Sequence, residues 1–104
     1  MKVVWTEPAL ADLEAIWEHI AADVPEHARR MVGRLLDAVE PLEDLPRMGR
    51  HIPEAEEPNL RELIVESYRI MYRVRPERVD ILAVVHGSRD LGSGLPPWER
   101  LRLE

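Results

Sequence analysis

The sequence predicts an α+β fold in the order β-α-α-β-β-β, with a helical hairpin packed on a small antiparallel sheet. Three observations predict it. Apolar residues recur twice at helical spacing before residue 46, they alternate at a period of two in three runs after residue 59, and a proline-rich stretch divides the two halves. Helical and strand patterns segregated along a chain point to an α+β layer rather than to alternating βα units.

Lys2 to Trp5 (KVVW) is a short β-prone run, and Thr6-Glu7-Pro8 after it is a helix start. Thr6 carries a capping oxygen, while Glu7 and Pro8 suit a first turn. Leu10, Leu13, Ile16, Trp17 and Ile20 then recur on one side, with Asp12, Glu14 and Glu18 between them, so a helix is expected to end near Asp23. Asp23-Val24-Pro25-Glu26 has the spacing of a second start, with Asp23 as cap and Glu26 three residues on. A second stripe runs from Ala28 through Met31, Val32, Leu35, Leu36, Val39 and Leu42 to Leu45. Pro41 interrupts it, and a proline inside a helix costs about 3 kcal/mol, so a kink or an end is expected near Glu40.

PRMGRHIPEAEEPN, residues 46 to 59, reads as loop, with three prolines and the acids Glu54, Glu56 and Glu57. Three strand-like runs follow, Leu60 to Val65, Tyr68 to Val74 and Val79 to His86. In the second, Tyr68, Ile70, Tyr72 and Val74 share one face, and Arg69, Met71, Arg73 and Arg75 share the other. In the third, strict alternation sets Val79, Ile81, Ala83 and Val85 against Asp80, Leu82, Val84 and His86. The links Glu66-Ser67 and Pro76-Glu77 are short enough for hairpins.

At 104 residues and 45% apolar content, the chain suits one folded domain, here residues 1–91, with 92–104 as a C-terminal extension. No apolar run is long enough to cross a bilayer, and no secretory signal is visible, so a cytoplasmic location is expected. Zero cysteines exclude disulfides and thiolate metal sites. His19, His27 and His51 are scattered, and neither a metal nor another cofactor is expected. The net charge of −6 is unevenly spread. Residues 1–59 carry 6 basic and 13 acidic side chains, and residues 60–104 carry 8 and 7. General nucleic-acid binding normally needs a basic domain, so only the C-terminal half offers a local positive patch. Lys2 is the single lysine, so every other cationic side chain, histidine aside, is a guanidinium, suited to planar bidentate contacts.

Four segments, ADLEAIWEHIA (11–21), PRMGR (46–50), LRELIVESYRIMYRV (60–74) and VDILAVVHGSRDL (79–91), together resemble the ParE/RelE superfamily of type II toxins, and most closely its ParE-like plasmid-stabilisation branch. The resemblance spans residues 2–91. It implies a growth-inhibiting toxin silenced by a cognate antitoxin encoded beside it. ParE-like members are associated with inhibition of DNA gyrase, and RelE-like members with ribosome-dependent mRNA cleavage.

These two activities ask for different residues. Cleavage by 2′-OH attack needs a base, cations around the phosphate and an acid. Arg69 and Arg89 match arginine positions of the RelE-like pattern, and His86 is the candidate for proton transfer. The chain departs from that pattern elsewhere: no tyrosine follows Leu91, and the active-site lysine is missing. A docking toxin needs only complementary surface and an anchor or two. The expected binding set for partner or target is Arg61, Arg69, Arg73, Arg75 and Arg89 on the sheet side, opposite an acidic helical face, with the antitoxin covering the hairpin groove and the arginines together. Tyr68, Tyr72, Trp5 and Trp17 are assigned to the core. Trp98, Leu101 and Leu103 are expected to pack as an extension.

Overall fold

The computed structural model describes residues 1–92 and 94–103, with side chains through Arg100. The elements are β1 (Lys2–Trp5), α1 (Glu7–Ala21), α2 (Pro25–Ala38), a 3-10 helix (Glu40–Glu43), β2 (Arg50–His51), β3 (Leu60–Val65), β4 (Tyr68–Val74), β5 (Arg78–His86) and a second 3-10 helix (Pro97–Leu103). The expected order is present, with one short strand added inside the loop. Leu101 and Leu103 have side chains outside the described residues, as has Ser93 entirely.

Local signals explain where the helices begin and end. The Thr6 hydroxyl accepts from the Ala9 amide, satisfying one of the free donors at the start of α1. For α2 the capping assignment is corrected: Val24 holds the N-cap position and makes no side-chain cap bond. Pro25 occupies the first helical turn, which leaves Asp23 one residue too early to cap. Pro41 closes the second helix, and the chain tightens into the 3-10 helix at Glu40.

The sheet has the order β1-β5-β4-β3-β2. Four strands pair antiparallel as a meander, but β1 lies parallel to β5, with Val3 opposite Val79 and Trp5 opposite Ile81. The sheet is therefore mixed rather than wholly antiparallel, and the helical hairpin between β1 and β5 serves as the crossover that a parallel pair requires. Against its first face pack Ala9, Leu13 and Ile16 of α1, Leu35 of α2 and Leu42, over Ile70, Tyr72, Val79 and Ile81. Leu10 and Trp17 stand off this stripe, 49% and 40% exposed, so Trp17 is not a core residue.

A bulge changes the facing of β5. Met71 pairs with Ala83 and Tyr72 with Ile81, which leaves Leu82 as the extra residue. Beyond it the alternation flips. Val84 joins Val79 and Ile81 on the helical face, while Ala83 and Val85 turn with Leu82 to the opposite face. Strict alternation through this strand is thus overturned.

That opposite face is covered too. Leu60, Met71, Leu82, Ala83 and Val85 form a second apolar cluster closed by Ile52 from the loop and Trp98 from the C-terminal segment. The segment is also clasped at the sheet edge. Arg100 donates to both Asp12 carboxylate oxygens, at 3.1 and 2.9 Å, and to the Leu82 carbonyl at 2.6 Å. Asp12 in turn accepts the Val84 amide at 2.8 Å. The register with β1 ends at Ile81, so this pair satisfies edge groups of β5 that β1 is too short to reach. Among the described residues no helix is long and apolar enough to cross a membrane.

Candidate functional site: the sheet arginines and the end of the hairpins

Arg69 projects from β4 onto the second face, and the loop folds over it. Its side chain is 9% exposed, and its donors all meet carboxylates. Nε donates to Glu62 Oε1 at 2.7 Å, Nη1 to Glu54 Oε2 at 3.0 Å and Nη2 to Glu54 Oε1 at 2.7 Å. Glu62 lies on β3 with its carboxylate fully buried, and its second oxygen accepts Arg50 Nε at 2.7 Å. The contact with Glu54 raises the Arg69 pKa, and the same contact holds the Glu54 carboxyl below its ordinary value.

Arg73 makes a similar pairing four residues along β4, donating from Nε to Glu57 Oε2 at 2.6 Å with its side chain 6% exposed. An exposed arginine face is therefore corrected at both positions. The guanidiniums lie on the expected face, but acids of the 52–59 loop cover them. A buried guanidinium without such partners would be prohibitively costly, so loop and strand specify each other.

The other three predicted arginines lie elsewhere. Arg61 sits on β3 directly opposite Tyr72, on the helical face, where Nη1 donates to the carbonyls of Arg47 and Gly49. Gly49 is fixed there: its amide donates to the Tyr72 hydroxyl at 2.9 Å, and a Cβ at this position would come within 2.6 Å of that hydroxyl and of the Glu62 carbonyl. Burial pushes the Tyr72 phenol up. Arg75, exposed beyond β4, pairs with Asp80, which also accepts from Arg78. Arg89 is exposed at the groove between α1 and the end of β5. The five residues do not form one surface.

His86 is exposed at the end of β5. Its Nδ1 accepts the Ser88 amide at 3.2 Å and lies 2.7 Å from the Ser88 hydroxyl, and its ring meets Tyr68 edge-on. The Ser88 contact fixes Nδ1 as an acceptor and leaves the proton of the neutral ring on Nε2. After the bulge His86 pairs with Tyr68, on the helical side, whereas Arg69 belongs to the opposite face. Both nevertheless border an open pocket of about 400 Å³ at the turn end of the hairpins, together with Arg50, Glu54, Ile64 and Ser67. Among the described residues no three histidine or carboxylate side chains gather as a metal would require.

Glu54, Glu57 and Glu62 are the site residues that sequence patterning missed. Glu62 carried a signal, since it replaces an apolar residue at a strand position that alternates with Leu60. Glu54 and Glu57 carried none beyond membership of an acidic loop cluster.

The comparisons with known proteins agree with this geometry. The family of ParE toxins of type II toxin-antitoxin systems matches residues 3–91. Toxin RelE2 of Caulobacter vibrioides is 40% identical over 89 residues, covering 85% of this chain and 97% of that protein. Toxin ParE3 of the same organism is 26% identical over 95 residues, covering 90% of this chain and 94% of that protein. Among solved structures, the chromosomal ParDE toxin-antitoxin system from P. aeruginosa superposes with a TM-score of 0.72 at 31% identity, over 83% of this chain and 95% of that one. The RelBE2 toxin-antitoxin complex from Mycobacterium tuberculosis superposes with a TM-score of 0.51 at 26% identity, over 82% and 88%. The family match spans most of the chain and the fold agrees with it: this protein belongs to the ParE toxin family of type II toxin-antitoxin systems.

Proposed function

We propose that the chain is a cytoplasmic, growth-inhibiting toxin that acts by docking on a macromolecular target, with DNA gyrase the first candidate, and that a cognate antitoxin neutralises it. One observation carries the docking reading. The bulge at Leu82 turns His86 to the face opposite Arg69, and the Arg69 donors are already committed to Glu54 and Glu62. A general base and a phosphate clamp need to converge within hydrogen-bond reach of one reacting centre, whereas these groups project from opposite faces of the sheet and the Arg69 donors are occupied. The net charge of −6 argues the same way against a ribosome-bound nuclease. The antitoxin partner is supported by the kinship with the ParDE and RelBE2 systems.

A second reading keeps a specific observation. Arg69 and His86 border one pocket, and a relative at 40% identity bears the name RelE2, so ribosome-dependent mRNA cleavage by Arg69, Arg89 and His86 is the alternative. Expression with and without the neighbouring antitoxin gene, followed by a gyrase supercoiling assay on purified toxin, separates the two. Loss of supercoiling that the antitoxin restores supports docking on gyrase. Normal supercoiling at toxin concentrations that arrest growth removes gyrase from the reading.

A further inference from the structure

We propose that the outward fork of Arg69 is the seat for an acidic side chain of the protein partner, and that Glu54 is a placeholder which the partner's carboxylate displaces. The inference rests on the toxin-antitoxin reading and assigns a chemistry to its docking site.

Arg69 is held from two unequal sides. Inside, Glu62 is fully buried on a central strand and fixes Nε at 2.7 Å. Outside, Nη1 and Nη2 meet Glu54 alone, and the Glu54 side chain is 41% exposed on a loop between Pro53 and Pro58. Removing Glu54 from the fork would leave Arg69 oriented by Glu62, with two parallel N–H donors aimed at the surface. That is the geometry a carboxylate recognises, because a planar fork matches both of its oxygens at once.

The surroundings suit a protein segment. The pocket of about 400 Å³ beside the fork is bordered by Arg50 and His86, which carry N–H donors, and by Ile64 and Tyr68, which offer apolar surface; the one other acid on its border besides Glu54, Glu66, is paired with Arg34. Ile64 is 54% exposed, a large aliphatic side chain left bare beside a buried cation. An acidic residue flanked by an apolar one fits both features. The occupant that the fork already accepts is itself a carboxylate, and the chain's negative balance disfavours a polyphosphate in its place.

Exchange of one carboxylate for another keeps the guanidinium paired throughout, so the seat never passes through an unpaired buried charge. It also gives a definite signature: removing the placeholder strengthens partner binding. The test titrates the purified antitoxin encoded beside this gene against wild-type toxin, E54A and E54Q by calorimetry, with thermal melts to verify folding. E54A is expected to bind about tenfold tighter, the scale of one charge-assisted pair, and E54Q by a smaller factor. In an R69K background, which keeps a cation for Glu62 but loses the fork, the gain should vanish. Alanine at one acidic residue of the antitoxin should cancel it as well. Wild-type binding with equal or weaker binding by E54A overturns the placeholder. A gain seen for a short single-stranded RNA and not for the antitoxin overturns the assignment to a protein carboxylate. Failure of wild type and E54A alike to bind the antitoxin overturns the underlying toxin-antitoxin reading.

Discussion

Glu62 shows how a single residue couples the fold to the site. Its buried carboxylate on β3 joins Arg69 of β4 to Arg50 of β2, so its loss takes the Nε acceptor from a guanidinium that is 9% exposed. Breaking one partner of a buried pair costs about 3–5 kcal/mol, so E62A is expected near the low end because Glu54 still holds the fork. Denaturant unfolding measures it. Tyr72 gives a second residue-scale outcome. Y72F removes the acceptor of the buried Gly49 amide, and leaving such a donor unmet costs about 1–3 kcal/mol. The pH dependence follows from Glu54. Arg69 holds its carboxyl below the ordinary value of 4.5, so its stabilising effect is complete above that value and fades as pH falls through the lowered one. The melting temperature of wild type should converge on that of E54Q as pH falls below 4.5 and on through the lowered value, while the two remain separated near neutrality. At this scale the sequence was partly readable. Alternation assigned Arg69 and Arg73 to the correct face of β4, because a strand's period is a local property. It did not reveal their covering, because Glu54 and Glu57 lie 15 and 16 residues away and reach the arginines only through the loop's path.

Elements were legible wherever the signal is local. Thr6 before Glu7 and Pro8 marks a helix start, since the cap needs only its own hydroxyl and an amide three residues on. The same reasoning misplaced the cap at Asp23 because it weighed residue type above the position of Pro25. The bulge at Leu82 was invisible, since an extra residue in β5 is defined only against its partner in β4. So was the parallel pairing of β1, which joins residues 76 apart, as with Lys2 and Arg78. The C-terminal segment is the element with the sharpest consequence. Trp98 closes the second apolar cluster and is 6% exposed. Replacing a buried tryptophan by alanine costs about 3–5 kcal/mol, so W98A should destabilise the domain on that scale and R100A by less. Hydrogen exchange at the Val84 amide reads the clasp directly, and R100A should quicken it by loosening Asp12, its acceptor. Unaltered stability in W98A would mean that the segment is not part of the cooperative unit.

As a whole, the molecule is a sheet covered on both faces, by the helical hairpin on one and by the loop and C-terminal segment on the other. The fold class was readable because two helical stripes and three alternating runs admit few arrangements. Function was readable only to the family, since one scaffold carries different activities and the deciding geometry comes from the bulge and the loop. The bulge sets His86 on the face opposite Arg69 and the loop occupies the Arg69 donors, which is the ground for the proposal that the toxin docks rather than cuts. The most direct test of that claim is message integrity on ribosomes translating a defined mRNA in the presence of purified toxin, with wild type and H86A compared by primer extension. An intact message is expected with either protein. Cuts at codon positions that wild type makes and H86A does not would contradict it.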